Sequence, residues 1–174
     1  METTLHFVAQ WLEARTRFSN QLKTLHAVDL AKKLGDSPNS IGFLIRHIGD
    51  VELLFSKNVF GNSSVQVSAK TVISGHDTGE WVDLPALLAY VQESFETLHD
   101  TLVAQPDSVW SEVITTKEFG TKTKAEALGR IVSHTAYHAG QIAIIYKYGN
   151  SWVYDTQAFL ILRQPFLSHR STNS

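Results

Sequence analysis

The chain has 174 residues, of which 43% are hydrophobic and 18% charged, and its formal net charge is −2. This composition suits one globular core that buries about 70% of the unfolded chain's surface, and it excludes a disordered chain. No Lys/Arg run exceeds the pair Lys32-Lys33, so there is no electrostatic footprint for nucleic acid, and the absence of cysteine excludes disulfides, thiolate ligands and a cysteine nucleophile. Any metal has to be held by His, Asp, Glu or water. The start, Met1 to His6, lacks the basic and apolar regions of a signal peptide, and no stretch nears ~18 consecutive apolar residues. A soluble cytoplasmic protein with no membrane partner is the expectation.

Leu5, Val8, Leu12, Leu22 and Leu25, with Trp11 and Phe18 widening the stripe, predict a first helix from about Thr3 to Leu34, stopped by Gly35. Ser37-Pro38-Asn39-Ser40 offers an N-cap and a first-turn proline to a second helix, about Pro38 to Phe60, with Ile41, Leu44, Ile45, Ile48, Val51 and Phe55 as its apolar row. His47 points inward on this helix. Asp50, three residues on, shares its face and is placed to orient the imidazole or to approach a bound ion. Residues 61–82 are rich in Ser, Thr and Gly, carry no helical period and read as a long crossover loop; its His76 and Asp77 are candidate polar groups, more simply solvated loop residues.

Asp83 caps a third helix that has Pro85 in its first turn and Leu84, Leu88, Val91, Phe95, Leu98 and Leu102 in a row ending at Pro106. Trp110 to Gly120 alternates and is rich in Val, Ile and Thr, which predicts a short strand or hairpin. A fourth helix runs from about Thr123 to Tyr148 and is ended by Gly149-Asn150. A short fifth helix at 152–164 and a frayed tail at 168–174 complete the expectation of a single domain over residues 1–167.

The fourth helix carries Ser133-His134-Thr135-Ala136-Tyr137-His138-Ala139-Gly140-Gln141. Histidines four apart lie on one side of a helix with Cβ atoms roughly 5–6 Å apart, which suits both imidazoles to one metal ion. At 100° per residue both fall on the face of Ala127, Ile131 and Ile145, so they point to the core, where each ring needs partners for both nitrogens. A metal with a hydrogen-bond acceptor supplies them, and so do neighbouring side chains; the two histidines alone leave these readings level. Gln141 projects on the same face, placed to bond a water or substrate or to pack between helices, whereas Tyr137 lies some 60° off it and reads as packing. Thr135 follows His134, so the glutamate base of a His-Glu-x-x-His metalloprotease is absent.

Four long helices, the segment Arg46-His47-Ile48-Gly49-Asp50 in the second, and the run from His134 to His138, Gly140 and Gln141 in the fourth resemble the DinB/YfiT-like superfamily over most of the chain. Phe119-Gly120-Thr121-Lys122-Thr123 is similar to the family's lead-in to the fourth helix. The resemblance implies an all-α fold, a four-helix bundle with a long crossover loop and here a short C-terminal helix. It also implies a divalent metal held by three histidines, which in this sequence are His47, His134 and His138, and often a homodimer. Characterised members include metal-dependent S-transferases and isomerases that use small-molecule thiols, and related hydrolases.

Three neutral imidazoles leave an ion its full charge and at least one open position, the pattern of a catalytic site, and both thiol transfer and hydrolysis are within its reach. A thiol reaction in a chain without cysteine needs an external low-molecular-weight thiol, and that is the leading expectation for a small-molecule substrate. A metal-dependent hydrolase and a non-enzymatic metal- or ligand-binding dimeric bundle are the alternatives. Asp50 and Gln141 are the candidate catalytic groups. Imidazole ligands suit Zn, Ni, Fe and Cu alike; Zn or Ni is the expected ion, with Fe next. Trp11, Trp152, Phe159 and Phe166 amount to more apolar surface than a monomer readily hides, which points to a homodimer.

Overall fold

A computed structural model describes residues 2–150. In chain order it has α1 (Glu2–Leu22), α2 (Ile41–Asn58), the short α3 (Lys70–Ser74), α4 (Leu84–Val103), the antiparallel hairpin β1 (Val113–Thr116) and β2 (Gly120–Thr123), and α5 (Lys124–Tyr148). The fold is all-α apart from the hairpin, which pairs Val113 with Thr123 and Thr116 with Gly120. The expected fifth helix and tail lie outside the described residues, as do Trp152, Phe159 and Phe166. No helix among the described residues is long and apolar enough to cross a membrane.

Side-chain caps start α2, α4 and α5. Ser40 accepts from the Phe43 amide at the head of α2, and Asp83 accepts from the Ala86 amide at the head of α4, with Pro85 in its first turn. Thr123 and Glu126 form a reciprocal capping box on α5. Sequence-derived boundaries move at the hairpin, which spans Val113 to Thr123 rather than Trp110 to Gly120, and at two helices. α1 ends at Leu22 rather than Leu34, because the Asp29 carboxylate accepts from the His26 amide at 2.9 Å and from the Lys32 ammonium at 2.7 Å, organising a tight turn over Ala27–Asp29. α2 begins after Ser40, so Pro38 lies outside it. Leu5, expected in the apolar stripe, is exposed.

The two apolar clusters reveal the topology. Val8 and Trp11, from the start of α1, pack with Phe55 late in α2, Leu98 and Leu102 late in α4, and Leu128 and Ile131 early in α5. Phe18, late in α1, packs with Leu44 and Ile48, Leu87 and Val91, and Ala139 and Ile142. α1 and α5 therefore run one way and α2 and α4 the other. Since α1 packs mainly on α5 and α2 on α4, the closest pairs are parallel, and a parallel pair needs a long crossing connection, which residues 59–83 supply between α2 and α4. Trp11 is 0% exposed inside the bundle, so it contributes nothing to a dimer face.

Between the clusters lies a polar layer. Arg15, 3% exposed, donates to Glu52 at 2.7 Å and to the Val91 carbonyl at 2.8 Å, and Ser94 donates to the second oxygen of Glu52 at 2.6 Å. Burial raises the Glu52 pKa against the opposing pull of Arg15 and Ser94. Glu52→Ala leaves a buried guanidinium without its anion, and urea unfolding should show a loss of about 3–5 kcal/mol. A loss under ~1 kcal/mol would mean the layer contributes little to holding the bundle together.

Candidate metal centre

The topology sets the middle of α2 against the middle of α5, bringing His47 opposite His134 and His138. The His47 ring centroid lies 5.0 Å from each of the other two, which are 4.4 Å apart. One potential ligand atom from each imidazole lies within 4.8 Å of those of the others. His47 Nε2 and His134 Nε2 are 3.1 Å apart. Two imidazoles on one tetrahedral ion at about 2.0–2.1 Å hold their nitrogens roughly 3.3–3.4 Å apart, so this pair already sits close to the edge of such a tetrahedron.

The electrostatics favour bare nitrogens. Burial, then the proximity of His138, pushes the His47 pKa down to about 4 against the opposing pull of Asp50. Burial, then His138, His47 and Arg130, pushes His134 down to about 3. His138 is lowered by burial against its hydrogen bond to Gln141. All three rings are therefore neutral near pH 7, and His134 Nδ1 is buried with no hydrogen-bond partner among the described residues. Three neutral, convergent imidazoles, with the Nε2 atoms of His47 and His134 turned toward each other, fit a divalent cation and could hold one.

Two of the three rings, His47 and His138, are oriented from behind. Phe43 stacks on His47 at 5.8 Å and 8°. His138 Nδ1 donates to Gln141 Oε1 at 2.6 Å, and Gln141 Nε2 donates to the Tyr137 hydroxyl at 3.2 Å. Gln141 thus backs a histidine and is not part of the cavity lining. Asp50 is 0% exposed and does not touch His47; Thr71 of α3 stands between them, 3.1 Å from His47 Nδ1 and 2.7 Å from Asp50 Oδ2. Tyr137 is not packed away: it is 63% exposed, meets the His138 ring edge-on at 5.1 Å and borders the cavity. His76 bonds the Ser74 carbonyl and Asp77 pairs with Lys33 at 3.4 Å, so both stabilise the crossover and neither lines the cavity.

That cavity has a volume of about 690 Å³ and includes all three histidines in its wall. Val51, Leu54, Phe55, Val72 and Phe119 give it apolar sides, and exposed Lys117, Glu118, Arg130 and Tyr137 form a rim open to solvent. Glu118 at the rim is paired with Arg130 at 3.2 Å. Sequence reasoning missed Thr71 and the hairpin tip at Lys117 to Phe119, neither of which has a periodic pattern that points to a site.

A family model for the DinB superfamily matches residues 9–142, a span containing the three histidines, Asp50, Thr71 and Gln141. No curated protein matches the chain.

The depressed histidine pKa values carry a sign. Folded-state values of about 4 for His47 and about 3 for His134 lie below the ordinary histidine value of 6.5, so the unfolded chain takes up protons first. Stability is then complete above about pH 6.5 and falls as the pH drops toward those values. Thermal melts of the chelator-treated protein should fall between about pH 6.5 and 5, where few carboxylates titrate, and fall less in His134→Gln. Identical slopes in the two proteins would contradict the buried, neutral assignment of His134.

Proposed function

The chain belongs to the DinB superfamily, and from the site that its α2 and α5 build we propose a divalent-metal-dependent enzyme that transfers or isomerises a small molecule with an external thiol. The observation that carries the reading is the convergence of His47, His134 and His138 in the wall of an open cavity that, among the described residues, offers no unpaired carboxylate. When bound, a divalent ion there would supply the positive charge that stabilises a thiolate or polarises a carbonyl.

The chain's own groups support a thiol over water. Asp50 is buried and engaged by donors, Glu118 is tied to Arg130, and Thr135 is buried where a metalloprotease has its glutamate. Among the described residues that line the cavity the one carboxylate is Glu118, paired with Arg130. A thiol of pKa about 8.5 needs far less help to ionise than water at about 15.7. His47, His134 and His138 hold the ion, Gln141 orients His138, and Val51, Leu54 and Phe119 keep water from the apolar part of the substrate. A sealed cluster would favour a structural or storage role; the solvent-open rim favours turnover.

His138→Ala should abolish binding of divalent metal, which the wild type binds at one ion per chain, and should abolish turnover across a panel of thiol and ester substrates. The bundle should stay folded, with little change in its urea midpoint, because its apolar clusters close without metal. Ester hydrolysis without thiol consumption would replace the transferase reading with a hydrolase. Metal binding with no turnover on any substrate would leave a binding bundle, and undiminished activity in the variant after chelation would place the chemistry elsewhere.

A further inference from the structure

A threonine hydroxyl has one proton and two acceptor lone pairs, and a carboxylate only accepts. Asp50 takes four donors: the Tyr90 hydroxyl at 2.6 Å and Arg46 Nε at 2.9 Å on Oδ1, and the Thr71 amide at 3.0 Å and Thr71 hydroxyl at 2.7 Å on Oδ2. The single Thr71 proton is therefore committed to Asp50. Its oxygen faces His47 Nδ1 at 3.1 Å with lone pairs only, so Nδ1 must be the donor. With the His47 proton on Nδ1, Nε2 is bare, and Nε2 is the nitrogen turned toward His134.

Resting on the metal-binding reading above, we propose that Thr71 is a positioning residue of the centre: its hydroxyl, polarised by Asp50, fixes the His47 tautomer and presents Nε2 for coordination. The chain Asp50, Thr71, His47 inserts a hydroxyl where a carboxylate more often meets a ligating imidazole directly. It also assigns a task to the crossover between α2 and α4. α3 is the element that carries Thr71, and the Thr71 amide on Asp50 docks α3 against α2. Any movement of this segment that withdraws Thr71 removes the acceptor from Nδ1 and frees the proton to reside on Nε2, where it blocks the ion.

Thr71→Val removes the hydroxyl at nearly constant size, and Thr71→Ser retains it. The discriminating readout is the long-range ¹H–¹⁵N spectrum of the histidine rings in metal-free protein, which distinguishes the two tautomers, together with the Zn²⁺ affinity from competition with a chromophoric chelator. Wild type and Thr71→Ser should show His47 protonated at Nδ1. Thr71→Val should lose that preference and bind Zn²⁺ about 10–100-fold more weakly. Retention of the wild-type tautomer and affinity in Thr71→Val would overturn the proposal, as would failure of Thr71→Ser to differ from Thr71→Val, since a residue that merely clamps α3 gives no tautomer signal. If the wild type itself binds no Zn²⁺, the metal reading falls, and the tautomer spectra of the same three proteins still decide whether Thr71 holds the His47 proton.

Discussion

A carboxylate withdrawn from water must find donors for its lone pairs or remain costly, and Asp50 finds them on three separate elements: Arg46 on its own helix, Thr71 on α3 and Tyr90 on α4. This requirement fixes the α2 side of the bundle. Satisfying it brings α4 close to α2, an approach that Gly49 permits, since a Cβ there would lie 2.8 Å from the Tyr90 ring. Burial and the Asp50 hydrogen bond raise the Tyr90 pKa, so the phenol stays protonated and continues to donate. The Arg46 guanidinium lies 3.4 Å over the same ring, which orients it toward the carboxylate. His47 is held at the end of this arrangement through Thr71.

On the α5 side the constraint is burial without compensating charge. The rings of His134 and His138 share a wall with apolar residues, so protonation is disfavoured and the nitrogens remain available. Below them, Arg15, Glu52 and Ser94 form the polar layer between the two apolar clusters, and Thr135 presents a buried hydroxyl beside His134. Such a layer restricts how α1, α2 and α4 can slide past one another, because displacement by a turn would strand the buried charges. The register of α2, which carries His47, is thus specified independently of any ion, while α5 is seated by its apolar face.

The long helices were legible in the sequence through their apolar period, and at α4 the Asp83 cap agreed with it; at α2 the cap fell on Ser40, after the proline expected in the first turn. The end of α1 was not, since Leu25 and Leu30 remain buried after the helix stops. Periodicity reports burial, and a turn folded over the core buries its leucines as a helix would. The spacing of His134 and His138 on α5 was local and visible, whereas the convergence of His47 on them depends on bundle topology and was available only through the resemblance to the DinB/YfiT-like family. Thr71 left no trace, because a five-residue helix has no period and its partners lie 21 and 24 residues away. The direct Asp50–imidazole contact expected from their spacing gave way to one through Thr71, which a helical wheel cannot place.

Three neutral imidazoles from α2 and α5 are placed to share one divalent ion. X-ray absorption on Zn²⁺-loaded protein, purified without a histidine tag, measures this most directly. The expected spectrum has three imidazole nitrogens at about 2.0–2.1 Å, with the outer-shell scattering that imidazole rings produce, and loses one ring's contribution in His47→Ala. A shell with fewer than three imidazoles, or one unchanged by His47→Ala, would contradict it.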